Sequence, residues 1–305
     1  MGAGAVGCYF GGMLARAGSP VTLIGRRAHV EAIAREGLFI NSIHFQERIE
    51  VAASTQPDTA HDAAFILFCV KTLETEEAAR ALKPHVSPGA LVLSLQNGVD
   101  NVERIRSASG IDALPTVVYV AAEITAPGRV KHAGRGDLVA GCLPGQENHF
   151  PELSRAAEVF VRAGVPCRVS DNIQADLWTK LAFNCAGNAV TTLSQSSYGP
   201  AARNPLTREV MRAAMNEAVA VARAAGIQLP DGNLADEGLK IAEKMGNATS
   251  STAQDISRGK RTEIDSLNGY LVRRGRELGV PTPVNHTLYA LIKLLEESGS
   301  RAANP

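Results

Sequence analysis

The chain carries no charge excess: 31 Lys and Arg stand against 31 Asp and Glu in 305 residues. A general nucleic-acid binder needs a concentrated basic surface, so no nucleic-acid partner is expected. No apolar run approaches the roughly 20 residues that span a bilayer. A charged segment followed by an apolar one and a cleavage site is also missing. The expectation is a cytoplasmic protein without a membrane contact. Cysteine is sparse and unpatterned. Cys8, Cys69, Cys142, Cys167 and Cys185 are odd in number, widely spread and free of any C-x-x-C pair. They read as reduced thiols that pack as small hydrophobes. The seven histidines show no H-x-x-x-H or H-E-x-x-H spacing and no neighbouring cysteine, which argues against a structural metal.

What is present is an ordinary globular composition, 45% hydrophobic and 20% charged, at a length that suggests two domains. In the first half, short apolar runs at 21–25, 64–70 and 90–96 read as buried parallel strands. Helical patterns at 11–17, 29–36 and 74–82 alternate with them. Residues 38–41 and 48–52 suit an antiparallel hairpin, and further strands are expected at 116–122, 129–132 and 137–141. From residue 173 the pattern turns helical, over 173–195, 205–225, 233–245, 254–278 and 284–297. Breakers are expected at 198–200, 226–232 and 279–283. The small, polar tail 298–305 is expected to fray.

At the very start, Gly2-Ala3-Gly4-Ala5-Val6-Gly7 matches G-x-G-x-x-G and runs into a helical pattern. Such glycines allow a tight turn and close approach of the backbone to a pyrophosphate, with a helix N-terminus behind it. A purely structural glycine turn is the alternative, but the following helix and strand have the length of a mononucleotide-binding unit. A strand of about five residues ordinarily precedes this motif. Only Met1 does here, and the expected reason is that Met1 is the last residue of a longer first strand. At the end of the second strand an NAD-binding chain ordinarily has an acid for the ribose hydroxyls. This chain has Gly25-Arg26-Arg27 instead, and a guanidinium suits a 2′-phosphate. NADP(H) is therefore the expected cofactor, unless the arginines are a solvated surface pair. Lys71 and Gln96-Asn97-Gly98-Val99 close later strands, where ligands of open α/β sheets lie; each could equally cap its loop.

In the helical half, Lys180, Asn184 and Asn188 recur at i, i+4 and i+8 on one face of an otherwise apolar helix. A buried lysine and two buried amides need partners. Neighbouring loops could supply them, or the stripe could line a pocket that holds a carboxylate and hydroxyls. A second polar cluster runs from Ser251 to Asn268. Its charges fit a solvated helix face, while Lys260 and Arg261 could lie near cofactor phosphates.

Taken together, the glycine loop, Lys71, Gln96-Asn97-Gly98, the Lys180/Asn184/Asn188 helix and Arg261-Thr262-Glu263-Ile264-Asp265 make the chain resemble the ketopantoate reductase (2-dehydropantoate 2-reductase) family, from Gly2 to about Leu295. The resemblance implies an α/β fold: an N-terminal Rossmann-like dinucleotide-binding domain over 1–169 and an all-helical C-terminal domain over 170–305. It also implies NADPH-dependent reduction of 2-dehydropantoate to (R)-pantoate, a small-molecule 2-keto acid substrate, and a cleft between the domains as the site. By position, Lys180 matches the family's catalytic lysine, with Asn97, Asn184, Asn188 and Ser251 at substrate-contacting positions. Glu263 matches a glutamate near the nicotinamide ribose and holds the ammonium or that ribose in place. Gly2, Ala3, Gly4, Ala5, Val6 and Gly7, with Arg26, Lys71, Asn97 and Glu123, fall at cofactor-contacting positions. Two departures stand out. Tyr198 replaces a further substrate-binding asparagine of some members, and the loop bearing Glu123 matches only approximately. Reduction of another branched 2-keto acid, or NADP(H) sensing without turnover, are the competing readings. Helical second domains of this type associate, so a homodimer is expected.

Overall fold

The structure, a computed structural model, describes residues 1–303. The chain divides into two compact units, Met1–Gln96 with Asp100–Ile173, and Asn97–Val99 with Gln174–Pro305. The division falls a few residues after position 169 and gives a three-residue loop of the first half to the helical unit.

The first unit runs α1 (Ala5–Arg16), β1 (Thr22–Ile24), α2 (Arg27–Glu36), β2 (Leu38–Ser42), β3 (Gln46–Ile49), β4 (Ala52–Ser54), β5 (Phe65–Phe68), α3 (Thr75–Leu82), β6 (Leu91–Ser94), α4 (Asn101–Ser109), β7 (Ala113–Ala126), β8 (Arg129–Gly141), α5 (Phe150–Arg162) and β9 (Cys167–Ser170). Strands β5, β6 and β7 pair in parallel, and β7 then turns back along β8. The order β3-β2-β8-β7-β6-β5 carries β9 beside β8, while β1 and β4 form a separate parallel pair. Met1 links the two sheets. Its amine donates to the Leu67 carbonyl at 2.8 Å, its carbonyl accepts from the Cys69 N–H, and the Gly2 and Ala3 N–H groups donate to Ile24.

Period-2 alternation sorts the strands between two cores. Leu91 and Leu93 face the cluster that holds Phe10 and Phe160, whereas Val92, Ile66 and Phe68 face the cluster that holds Leu82 and Ile105. Helices α1 and α5 therefore cover one face of the sheet, and α3 and α4 the other. Burial on both sides is why these strands read as continuous apolar runs. The hairpin expected from 38–41 and 48–52 differs in its second arm. β3 pairs with β2 from Gln46 to Ile49, and residues 52–54 leave to pair with β1. The strands expected at 129–132 and 137–141 are one strand, β8, which follows β7 through three register shifts.

The second unit is helical: α6 (Ile173–Leu193), α7 (Tyr198–Arg203), α8 (Pro205–Ala224), α9 (Leu234–Met245), α10 (Ser251–Ser257), α11 (Asn268–Glu277) and α12 (Pro283–Ala303). Its core interleaves Cys185, Ala186 and Ala189 of α6 with Ala214 and Ala218 of α8, Leu239 of α9 and Leu271 of α11. Asn204 caps α8, with Pro205 at the first helical position, and Asn233 and Ser250 cap α9 and α10. The break expected at 198–200 is instead the first turn of α7, where Pro200 meets no interior hydrogen bond.

The helix expected over 254–278 is broken. Gly259 has φ +61°, its N–H bonds to Ile256 O, and Lys260 N–H bonds to Asp255 O. That pair of bonds ends α10 in a left-handed cap. The released segment carries Thr262 and Glu263 into a short turn, Ile264–Ser266, before α11 begins. The tail expected to fray is helical through Ala303, and residues 304–305 lie outside the described residues. Among the described residues no helix is long and apolar enough to cross a membrane.

Candidate active site

In the first unit the glycine turn has three differently used glycines. Gly2 has φ +92°, and a Cβ there would meet Val70 N at 2.5 Å. A Cβ on Gly7 would meet Gly2 O at 2.3 Å, so both positions are closed by the protein's own backbone. Gly4 is different: nothing lies within 4 Å of its Cβ position. It is the N-cap of α1, has no side-chain cap bond, and is followed by no acid in the first turn. Open space before unfilled helix N–H groups suits a close anionic ligand such as a pyrophosphate. The turn therefore fits a dinucleotide, with Ala3, Ala5 and Val6 completing its wall.

Arg26 follows β1 after Gly25 as the N-cap of α2, and its side chain is 86% exposed. Its guanidinium donates to Glu74 Oε1 at 2.7 Å. Glu74, after β5, is an acid near the expected ribose end that the linear pattern hides. Lys71 is exposed and precedes the short turn Thr72–Glu74 that carries this acid. Gln96 caps its loop, as one of the two readings had it: its amide donates to Val70 O and Thr75 Oγ1. Glu123 lies in β7 opposite Lys131 of β8, with 3.8 Å between their charges.

In the second unit three expected residues meet. Lys180 Nζ donates to Asn97 Oδ1 at 2.9 Å, and Asn97 Nδ2 donates to Glu263 Oε2 at 3.2 Å. The amide thus joins an ammonium to a carboxylate, each polar end satisfied by the other, which is how a part-buried charge pair is tolerated. One and two turns further along α6 the pattern continues. Asn184 is 9% exposed, and its side chain has no hydrogen-bond partner among the described residues. Asn188 is buried, and its Oδ1 accepts the Tyr198 hydroxyl at 2.7 Å. Burial raises the Tyr198 pKa, so the phenol keeps its proton and acts as the donor to Asn188. The Tyr198 ring stacks on Phe183 and closes over Gly187, where a Cβ would meet it at 2.7 Å.

Ser251 is placed apart from this row in character: it is exposed at the start of α10, while its neighbour Ser250 is buried and accepts from Thr191 Oγ1. Arg261 is also exposed and pairs with Asp265 at 3.5 Å. Burial opposes the charge of Asp265, yet hydrogen bonds from Tyr289 and Lys293 hold its carboxyl below the usual value. The cysteines stay out of the chemistry. Cys8 and Cys185 are buried, the other three half-buried, and burial raises all five thiols, Cys69 to about 11.

A glycine turn opening a helix on an α/β sheet, and a helical unit holding a lysine–amide–carboxylate chain, define a nicotinamide-dinucleotide-dependent oxidoreductase. Residues 1–145 match the family model Ketopantoate reductase PanE/ApbA, and residues 172–296 match Ketopantoate reductase PanE/ApbA C terminal. The chain belongs to the ketopantoate reductase family. It is 34% identical to the 2-dehydropantoate 2-reductase of Pyrococcus abyssi over 96% of this chain and 95% of that one. The crystal structure of a PanE/ApbA family ketopantoate reductase from Ralstonia eutropha JMP134 is 48% identical, with TM-score 0.90 and 98% of each chain covered. A D-mandelate dehydrogenase in complex with NADH is 25% identical, with TM-score 0.85 and 97% of each chain covered.

Proposed function

We propose that the protein reduces 2-dehydropantoate (ketopantoate) to (R)-pantoate with NADPH, and that Lys180 is the general acid. The observation that carries this reading is the chain Lys180–Asn97–Glu263, which fixes an ammonium through one amide to a carboxylate. When bound, the nicotinamide supplies hydride to the ketone carbon. As negative charge grows on the ketone oxygen, Lys180 stabilises it and donates the proton. A positioned general acid of this kind contributes roughly 10²–10⁴-fold in rate. Glu263 orients the Asn97 amide, which in turn holds the ammonium. Asn184, buried without a partner, accepts or donates to the substrate, and Asn188 offers its N–H groups beside an oxygen already engaged by Tyr198. Ser251, at the exposed start of α10, completes the substrate contacts in this reading.

The glycine turn from Gly2 to Gly7 would hold the pyrophosphate, Arg26 and Lys71 the 2′-phosphate, and Asn97, Glu123 and Glu263 further parts of the coenzyme. Their names for the two units follow: an NADP-binding unit, and a helical substrate and dimerisation unit. The relatives named 2-dehydropantoate 2-reductase support the substrate. Exposed Leu206 and Val210 on α8, with Ile241 and Met245 on α9, support association as a homodimer; a cytoplasmic location without a nucleic-acid partner belongs to the same reading.

Comparison of kcat/KM for ketopantoate, 2-ketoisovalerate and pyruvate with NADPH tests the proposal, and ketopantoate should lead. A lead by another branched 2-keto acid would move the protein to a second reading. Tight NADP(H) binding without turnover of any of them would make it a coenzyme sensor.

A further inference from the structure

We propose that Glu296 is a positioning residue that sets Glu263, and through it the Asn97–Lys180 chain, from the far end of α12. The inference rests on the reading of Lys180 and Glu263 given above.

Glu296 lies 33 residues beyond Glu263 in sequence, yet its carboxylate reaches the turn that bears it. Oε1 accepts both the Thr262 N–H and the Thr262 hydroxyl, each at 2.7 Å. The same Thr262 oxygen accepts the Ile264 N–H at 3.2 Å. The peptide N–H before Glu263 and the one after it are therefore both held, directly or through one hydroxyl, by a single carboxylate. The Glu263 carbonyl accepts from Ser266 N–H at 2.9 Å, which fixes the exit of the turn.

The carboxylate is itself held. Its side chain is only 9% exposed, and Oε2 lies 2.9 Å from Lys293 Nζ. Lys293 also donates to Asp265 Oδ2 at 3.0 Å, and Tyr289 OH donates to Asp265 Oδ1 at 2.6 Å. Tyr289, Lys293 and Glu296 recur at i, i+4 and i+7, so one face of α12 grips Thr262 and Asp265 on either side of Glu263. Charge-assisted bonds to a backbone N–H are stiffer than neutral ones. An ordinary loop anchor needs one such bond. Here a half-buried charge network brackets the one residue whose carboxylate orients Asn97. A small displacement of Glu263 turns the Asn97 amide and moves the Lys180 ammonium with it.

The test uses the full chain and the variants Glu296→Ala, Glu296→Gln and Glu263→Gln, with the double variant Glu296→Ala/Glu263→Gln. Glu296→Ala should lower kcat by about tenfold or more, since misplacement alone has that scale. KM for the keto acid should move less, and Kd for NADPH should hold. Gln retains an oxygen for Thr262, so Glu296→Gln should recover most of the rate. The double variant should be no slower than Glu263→Gln alone. Amide hydrogen exchange read on a peptide spanning 261–266 should speed up in Glu296→Ala and not in Glu296→Gln, while α6 and α8 stay protected. Unchanged exchange in that peptide, a strictly additive double variant, or kcat per folded molecule within about threefold of the parent would overturn the proposal. Should Glu296→Ala fail to fold, Thr262→Val breaks the same bracket from the other side and carries the same expectations. A parent protein that reduces no keto acid refutes the functional reading alone, because the exchange measurement then decides the bracket without turnover.

Discussion

The Tyr198 hydroxyl donates a hydrogen bond to Asn188 Oδ1, ten residues earlier, at 2.7 Å, although the two belong to different helices. The bond decides which way the Asn188 amide faces. Tyr198→Phe keeps the ring and its stacking on Phe183 but strands a buried oxygen, a loss of about 1–3 kcal/mol. The expected outcome is a lower melting temperature together with a several-fold change in KM for the keto acid and an unchanged NADPH Kd. An unchanged KM would remove Asn188 from substrate contact.

Lys180→Ala should lower kcat by about two to four orders of magnitude and leave NADPH affinity in place. A lysine with a structural role behaves in the opposite way, costing stability while kcat per folded molecule survives. Single-turnover rates and melting temperature on one preparation separate the two.

In the proposed reading, coenzyme choice turns on Arg26, whose guanidinium is bonded to Glu74. NADPH should bind more tightly than NADH, and Arg26→Ala should narrow the gap. Glu74→Ala should widen it, because a nearby carboxylate repels a 2′-phosphate and competes for the guanidinium. The exposed pair itself is weak, so neither change should alter the melting temperature appreciably. Kd values for both coenzymes on the three proteins check this, and equal affinity in the parent would sink the NADP assignment.

The glycines make a paired prediction. Gly7→Ala drives a Cβ into Gly2 O and should destabilise the fold, whereas Gly4→Ala meets no protein atom. Gly4→Ala should therefore fold normally and bind NADPH weakly. Normal binding by that variant would show that nothing approaches the turn at Gly4.

Two buried histidines set a pH window. His29 accepts the Gly128 N–H on Nδ1 and places Nε2–H toward Cys8 Sγ. His132 donates to the Arg135 carbonyl and pairs with Ser42 on Nδ1. Burial lowers both pKa values from 6.5. Below that value the unfolded chain binds the extra protons first, so this part of the stability is full above pH 6.5 and is lost as pH falls through the folded values. Urea midpoints at about pH 7.5 and about pH 5.5 should differ, and His132→Gln should shrink the difference. An identical pH response in that variant would clear His132.

Much of this molecule was legible in the linear pattern, and the exceptions share a cause. The glycine turn, the parallel strands and the face of α6 rest on local spacing, which the chain writes out directly. The helix expected over 254–278 failed because its apolar period runs on past Gly259, and only the left-handed cap shows that the backbone does not. β8 looked like two strands for the converse reason, that register shifts interrupt its pattern while its ladder continues. Asn97 was marked by its place after a strand, and Lys180 by its helix face, but nothing local joins them. Glu74 and Glu296 were invisible as partners, since their bonds cross 48 and 34 residues of sequence.

The loop Asn97–Val99 is counted with the helical unit although 74 residues of the other unit follow it before that unit begins in earnest. A gene cut at the apparent boundary would therefore not yield two whole parts. The fragment that starts at Gln174 keeps the lysine and the glutamate and leaves behind the amide that joins them. Recombination between relatives meets the same constraint, for a chimera that takes its first 173 residues from one parent imports that parent's residue 97 into the other parent's helical unit. In this chain, inheritance of the two halves is linked by three residues.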